Sequence, residues 1–320
     1  MKSRTVGSGG DDADFPTWEA QIDNSQDETG TAIQSAKLTA AGTMTIDAAS
    51  TARVYKMTAD SSSELKTTLA ADSRAKARLG DAGAGNWSLI ISTSGVVVER
   101  MGVISVDTAG ILIGSFAATF RRLGFESGDG AVSGQGIYFN GSSTSDVSIV
   151  SNCFFTGCGH SFSTGANSAS AGTNKFYQNS GLCGSNTPGF GFHVPGDAYF
   201  YANVVQQTAA PIFANYQLRY QMYGDQNVAE DTSADDGSLT NAWNSKSGLF
   251  NVETAGSEDL SLASGSQGAY SVTDRSGTVA DLATDIVGTS RTGTIDAGVW
   301  QTPAAAAPAS HNLTLLGVGG

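Results

Sequence analysis

Val150-Ser151-Asn152-Cys153, Tyr177-Gln178-Asn179-Ser180, Tyr201-Ala202-Asn203-Val204 and Asp225-Gln226-Asn227-Val228 share one pattern: the end of a strand-like run, then asparagine. The asparagines are 27, 24 and 24 residues apart. That period predicts one turn of a solenoid, because each turn stacks on the last and returns like residues to the same column. Asparagine tolerates the left-handed backbone of a tight bend, and its amide can bond the asparagine one turn away. Asn152, Asn179, Asn203 and Asn227 are therefore expected to form a structural column. Phe176, Tyr177, Tyr199, Phe200, Tyr201 and Tyr220 are expected to supply the internal aromatic stacks beside it.

Outward from this core, residues 87–228 carry short apolar runs separated by Gly, Ser, Asn and Asp, among them Leu89-Ile90-Ile91, Val96-Val97-Val98, Ile111-Leu112-Ile113 and Val147-Ser148-Ile149-Val150. Runs of this length between turn residues indicate strands. The predicted fold is all-β: a right-handed single-stranded parallel β-helix with a short N-terminal capping helix and a C-terminal extension. Residues 1–35 read as the opening strand and capping helix, 36–301 as the β-helix with a polar exit cap, and 302–320 as a Pro/Ala spacer with an apolar tail. Asp14 can cap a helix beginning at Phe15-Pro16, with Phe15, Trp18 and Ile22 on one face. Glu64 to Leu79 is a second, thinner helical pattern. In the tail, Leu313, Leu315, Leu316 and Val318 are expected to dock, on this domain or on a neighbouring subunit.

Charged residues make up 15 % of the chain, and the net charge is −13. With no basic run longer than Arg121-Arg122, nucleic acid is an unexpected partner. No apolar stretch is long enough for a spanning helix, so no membrane partner is expected. The opening Met1-Lys2-Ser3-Arg4-Thr5-Val6 lacks a secretory apolar region, which argues against export by that route. Cys153, Cys158 and Cys183 are read as free thiols. Cys153, Cys158 and His160 lack a fourth ligand at useful spacing, and Glu230 to Gly237 lacks the alternation of a calcium loop, so no metal or other cofactor is expected.

Two segments resemble those of pectate-lyase-like β-helix proteins of bacteriophage type. One is Thr5-Val6-Gly7-Ser8-Gly9-Gly10-Asp11 followed by Phe15-Pro16-Thr17-Trp18-Glu19. The other is the exit, Asn251-Val252, Asp259-Leu260-Ser261-Leu262, then Asp285-Ile286-Val287-Gly288-Thr289-Ser290-Arg291 and Asp296-Ala297-Gly298, which in such proteins covers the open end of the coil. The resemblance spans Thr5 to Trp300. It implies the fold and leaves function open, since this architecture hosts lyases, hydrolases, adhesins and capsid parts.

A glycosidase needs two carboxyl groups on one groove. Glu99 and Glu126, 27 residues apart, are the weak catalytic candidates, read as one coil apart on one face with Arg100, Arg121 and Arg122 nearby. His160 and His193 have no recognisable partner. The expected function is that of a virion structural protein, a tailspike-like cement or decoration protein on a phage capsid. It would be made in the host cytoplasm and act as a homotrimer contacting the major capsid protein or another virion protein. The alternative is a tailspike or receptor-binding protein that recognises or depolymerises bacterial surface polysaccharide, with aromatics such as Tyr223 and Trp243 lining a groove.

Overall fold

The computed structural model describes residues 1–33, 44–47, 53–60, 78–79, 87–105, 109–113, 117–127, 135–139, 147–156, 160–164, 173–183, 190–192, 198–207, 216–218, 222–231, 238–244, 246–253, 259–293, 295–298 and 300–301. Cys158, His193, Tyr220 and the tail residues Leu313, Leu315, Leu316 and Val318 lie outside them. So does most of Glu64–Leu79, whose last two residues, Arg78–Leu79, form a strand instead of the end of a helix.

The chain is a parallel β-helix. Its described strands form three parallel sheets of ten, seven and seven strands. A middle coil runs from Val96–Glu99 in the first sheet to Gly102–Ser105 in the second and Ala109–Ile113 in the third, then returns to the first at Ala118–Arg121. Each strand thus pairs in register with the strand one coil away, as Val98 does with Phe120. Parallel pairing requires such a crossover, and here the other two sheets provide it.

Strand periodicity separates inside from outside. In the first sheet Met57, Val98, Phe120, Val150, Phe176 and Phe200 share a register column and are fully buried. Phe176 and Phe200 stack with centroids 4.5 Å apart, and so do Phe125 and Phe155 in the second sheet. Tyr177, Tyr199 and Tyr201 alternate with these residues and lie on the outer face, which corrects the expectation that they stack internally.

One left-handed residue per coil turns the chain from the first sheet into the second: Arg100, Arg122, Asn152, Gln178, Ala202, Gln226 and Asn241, all with φ between 50° and 61°. The residue after each corner points inward, giving the buried column Met101, Leu123, Cys153, Asn179, Asn203 and Asn227. Asn152 therefore belongs to the corner, and Cys153 holds its coil's place in the column. Asn179 Oδ1 accepts from the Cys153 N–H (2.9 Å), Asn203 Oδ1 from Asn179 N–H and Nδ2 (3.0 and 2.9 Å), and Asn227 Oδ1 from Asn203 N–H and Nδ2 (both 3.1 Å). The Nδ2 groups of Asn179, Asn203 and Asn227 also donate to the carbonyls of Val150, Phe176 and Phe200. Each amide thus satisfies backbone groups that the corner leaves out of the sheets.

The expected helix forms at Phe15–Glu19, with Asp14 accepting from the Thr17 N–H at 2.8 Å. Phe15 and Trp18 are fully buried, and a side chain at Gly30 would collide with the Trp18 ring. The C-terminal part differs from an end cap. Its antiparallel pairs, Phe250–Val252 with Asp259–Leu262 and Ser271–Val272 with Ile295–Asp296, pack with Trp243 and Trp300 onto Phe154, Leu182, Val204 and Val228. These last four residues form the outer side of the second sheet. The exit segment therefore seals a flank instead of the open end, because the second sheet carries adjacent apolar residues such as Phe154-Phe155 and Val204-Val205, leaving both its faces apolar.

Candidate functional site: a tyrosine and cation groove

Alternation places Lys175, Tyr199 and Tyr223 in one outward column of the first sheet and Tyr177, Tyr201 and Asp225 in the next. Tyr177 and Tyr201 stack at 5.3 Å and 13°, and Tyr199 and Tyr223 at 5.1 Å and 25°. Arg275 arrives from the C-terminal segment. Its guanidinium lies 3.9 Å from the centroid of the Tyr201 ring, and its Nη2 donates to Asp225 Oδ1 at 2.5 Å. Together Lys175, Tyr177, Tyr199, Tyr201, Arg275 and Thr278 line a cleft of about 350 Å³. Burial pushes the Tyr177 hydroxyl pKa up, neighbouring Tyr201 adds to this and Arg275 opposes it, so the phenol stays protonated at neutral pH.

The segment carrying Arg275 runs back along the corner ridge. The Thr273 N–H donates to Gln226 Oε1, Asn152 Nδ2 donates to the Asp281 and Thr284 carbonyls, and Arg122 pairs with Asp281 at 3.0 Å. Its anchor is Arg291, whose Nη2 donates to Asn152 Oδ1 and to the Gly298 carbonyl, both at 2.9 Å. Burial pushes the Arg291 pKa down to about 10, against the pull of Asp285, Asp281 and Asp296, so it remains a cation at neutral pH. The two acidic motif residues close the loops around it. Asp285 accepts from the N–H groups of Val287, Thr289 and Gln301, and Asp296 accepts from the Gly268 N–H.

The expected carboxylate pair is not brought together. Glu99 lies in the first sheet, level with Arg121, whereas Glu126 lies in the second, level with Ile104 and Thr156. The same-face expectation fails because the coils differ in length, so 27 residues from Glu99 overshoots its register partner. Glu99 accepts from Arg121 Nε, from Lys56 Nζ at 2.6 Å and from Thr58 Oγ1 at 3.0 Å. Burial alone would raise its pKa, but the Lys56 hydrogen bond and the charges of Arg121 and Lys56 hold it below its ordinary value. Asp225 shares its column five rungs away, about 24 Å at ~4.8 Å per rung. Glycosidase carboxyl pairs sit about 5–9.5 Å apart.

A pH test follows from this cluster. Because the folded pKa of Glu99 is below its ordinary 4.5, its stabilisation is complete above that pH and is lost as pH falls through the folded value. The difference in thermal midpoint between the native chain and Glu99→Gln is expected to shrink from about pH 6 to about pH 3, measured by circular dichroism. A difference that does not change with pH would show that the cluster contributes no charge-dependent stability.

Of the other residues singled out, Cys153 is fully buried in the asparagine column, and burial raises its thiol pKa well above the ordinary value. His160 lies in a strand of the third sheet. Trp243 packs edge-on against Tyr270 at 5.7 Å in the second apolar cluster, while Tyr223 joins the outer stack. Neither Lys175 nor Arg275 stands out in the sequence. The period-2 alternation around Tyr199 could have indicated Lys175, but Arg275 reaches the site only through the return path of the C-terminal segment.

No protein-family model matches the chain, and no curated protein matches it. The molecule is thus defined by its own geometry: a parallel β-helix whose second sheet is sealed by its C-terminal segment and whose first sheet bears an aromatic, cationic groove.

Proposed function

We propose that this chain is a virion structural protein, a β-helical decoration or cement protein of a phage capsid that acts as a homotrimer against the major capsid protein. The observation that carries this reading is the lacing of the coil. Hydrogen bonds between residues 129, 139 and 162 positions apart bind the C-terminal segment to successive corners. A coil bound in this way can open only after the segment is released, which suits a particle component whose survival depends on a slow unfolding rate. The resemblance of the entry segment, Thr5 to Glu19, to phage β-helices supports the same reading. Glu99, committed to two cations, suits a structural part better than a catalytic acid.

Quantitative mass spectrometry of purified particles tests it. The expected result is a copy number comparable to that of the major capsid protein, with a trimer by sedimentation of the isolated chain. Absence from washed particles would overturn the proposal. A few copies per particle would favour the tail over the capsid.

A further inference from the structure

The C-terminal segment holds a second cleft, of about 250 Å³, whose apolar wall is Leu262, Val287 and Trp300. Val287 is 46 % exposed, and the half-buried Trp300 packs on Phe154 with ring centroids 5.5 Å apart. Most polar side chains of the wall are bonded within the chain. Ser261 Oγ donates to Asp259 Oδ1 and accepts from Asn251 Nδ2, and Gln267 Nε2 donates to the Leu262 carbonyl. Asp285 accepts from the N–H groups of Val287, Thr289 and Gln301. An apolar side chain can enter such a cleft without stranding a hydrogen-bonding group, whereas a polar ligand finds most partners already engaged. The volume of about 250 Å³ is also below the roughly 300–1,000 Å³ typical of small-molecule sites.

Gln301 is the last described residue, and it lines the same cleft. Its N–H donates to Asp285 Oδ2 at 3.1 Å and its Oε1 accepts from the Asp296 N–H at 3.2 Å, so the chain leaves from the cleft wall itself. Residues 302–320 follow and end in Leu313-Thr314-Leu315-Leu316-Gly317-Val318-Gly319-Gly320. Magnitudes decide whose apolar segment can stay there. Burying two leucine-sized side chains gains about 4–5 kcal/mol, which corresponds to a dissociation constant of about 0.1–1 mM. A separate molecule at micromolar concentration is not held by that. A segment tethered through residues 302–312 meets the cleft at an effective concentration in the millimolar range, and the loop that tethers it costs little more than a shorter one would.

We propose that the apolar tail of this chain folds back onto its own cleft and covers Leu262, Val287 and Trp300, as a clasp over the sealed flank. The clasp belongs to one chain alone, so its failure would leave the virion reading standing, and failure of the virion reading would leave the clasp standing.

Fluorine NMR of the full chain labelled with fluorotryptophan tests the proposal, with the Trp300 resonance assigned through Trp300→Phe. Replacing Leu313, Leu315, Leu316 and Val318 together by serine is expected to move the Trp300 resonance and to enlarge its H2O-to-D2O solvent shift, while Trp18 and Trp87 stay where they are. A labelled four-serine chain incubated with unlabelled native chain at micromolar concentration is expected to keep the exposed Trp300 signal. An unmoved Trp300 resonance in the four-serine chain would show that the tail does not reach the cleft. Return of the native signal in the mixture would make a second copy the occupant, and either result would overturn the proposal.

Discussion

Replacing Asn203 with alanine is expected to destabilise the coil by about 4 kcal/mol, since each buried polar group left without a partner costs roughly 1–3 kcal/mol. Asn203 is fully buried and is the middle rung of the ladder. Its loss leaves the Asn179 N–H without its 3.0 Å acceptor and the Phe176 carbonyl without its 3.1 Å donor. Thermal unfolding by circular dichroism should show a midpoint lower by roughly 8 °C. A midpoint within one degree or so of the native chain would mean that backbone pairing alone carries the corner.

Arg291→Leu should release the C-terminal segment from the flank while the coil itself persists. Removing one side of a buried ionic contact costs about 3–5 kcal/mol. Here it also strips Asn152 Oδ1 and the Gly298 carbonyl of their donor and removes the buried cation that Asp285, Asp281 and Asp296 attract, although Asp281 keeps its pair with Arg122. Phe154, Leu182, Val204 and Val228 would then face water, and Trp300 would leave its place 5.5 Å from Phe154. Limited proteolysis should cut between Leu249 and Gln301, and an apolar dye should bind the variant and not the native chain. Asn152→Ala should weaken the same contact without touching the ladder. Full protection of residues 249–301 in Arg291→Leu would show that apolar packing alone holds the segment.

These two variants also separate roles that look identical in the sequence. Asn152 and Asn179 both follow a strand, yet one turns the chain and the other bonds along the column. The distinction is a single residue of register. Residue type cannot reveal it, because Arg122, Gln178 and Ala202 adopt the left-handed conformation as well. Packing elsewhere in the coil supports that conformation, at a cost of roughly 1–2 kcal/mol for each residue other than glycine. The groove was half legible in the same way. Its tyrosines were conspicuous, but their direction depends on which alternate positions face the core.

The coil period, the strand runs and the capped helix at Asp14 are set by local spacing and propensity, so the sequence by itself determined the β-helix. The flank seal, the Arg291 anchor and the meeting of Arg275 with Tyr201 were decided only in the tertiary structure. Their partners lie far apart along the chain, 139 residues in the case of Arg291 and Asn152. No local pattern specifies such a pairing; it follows from which faces the stacked coils leave apolar or unsatisfied once they have formed.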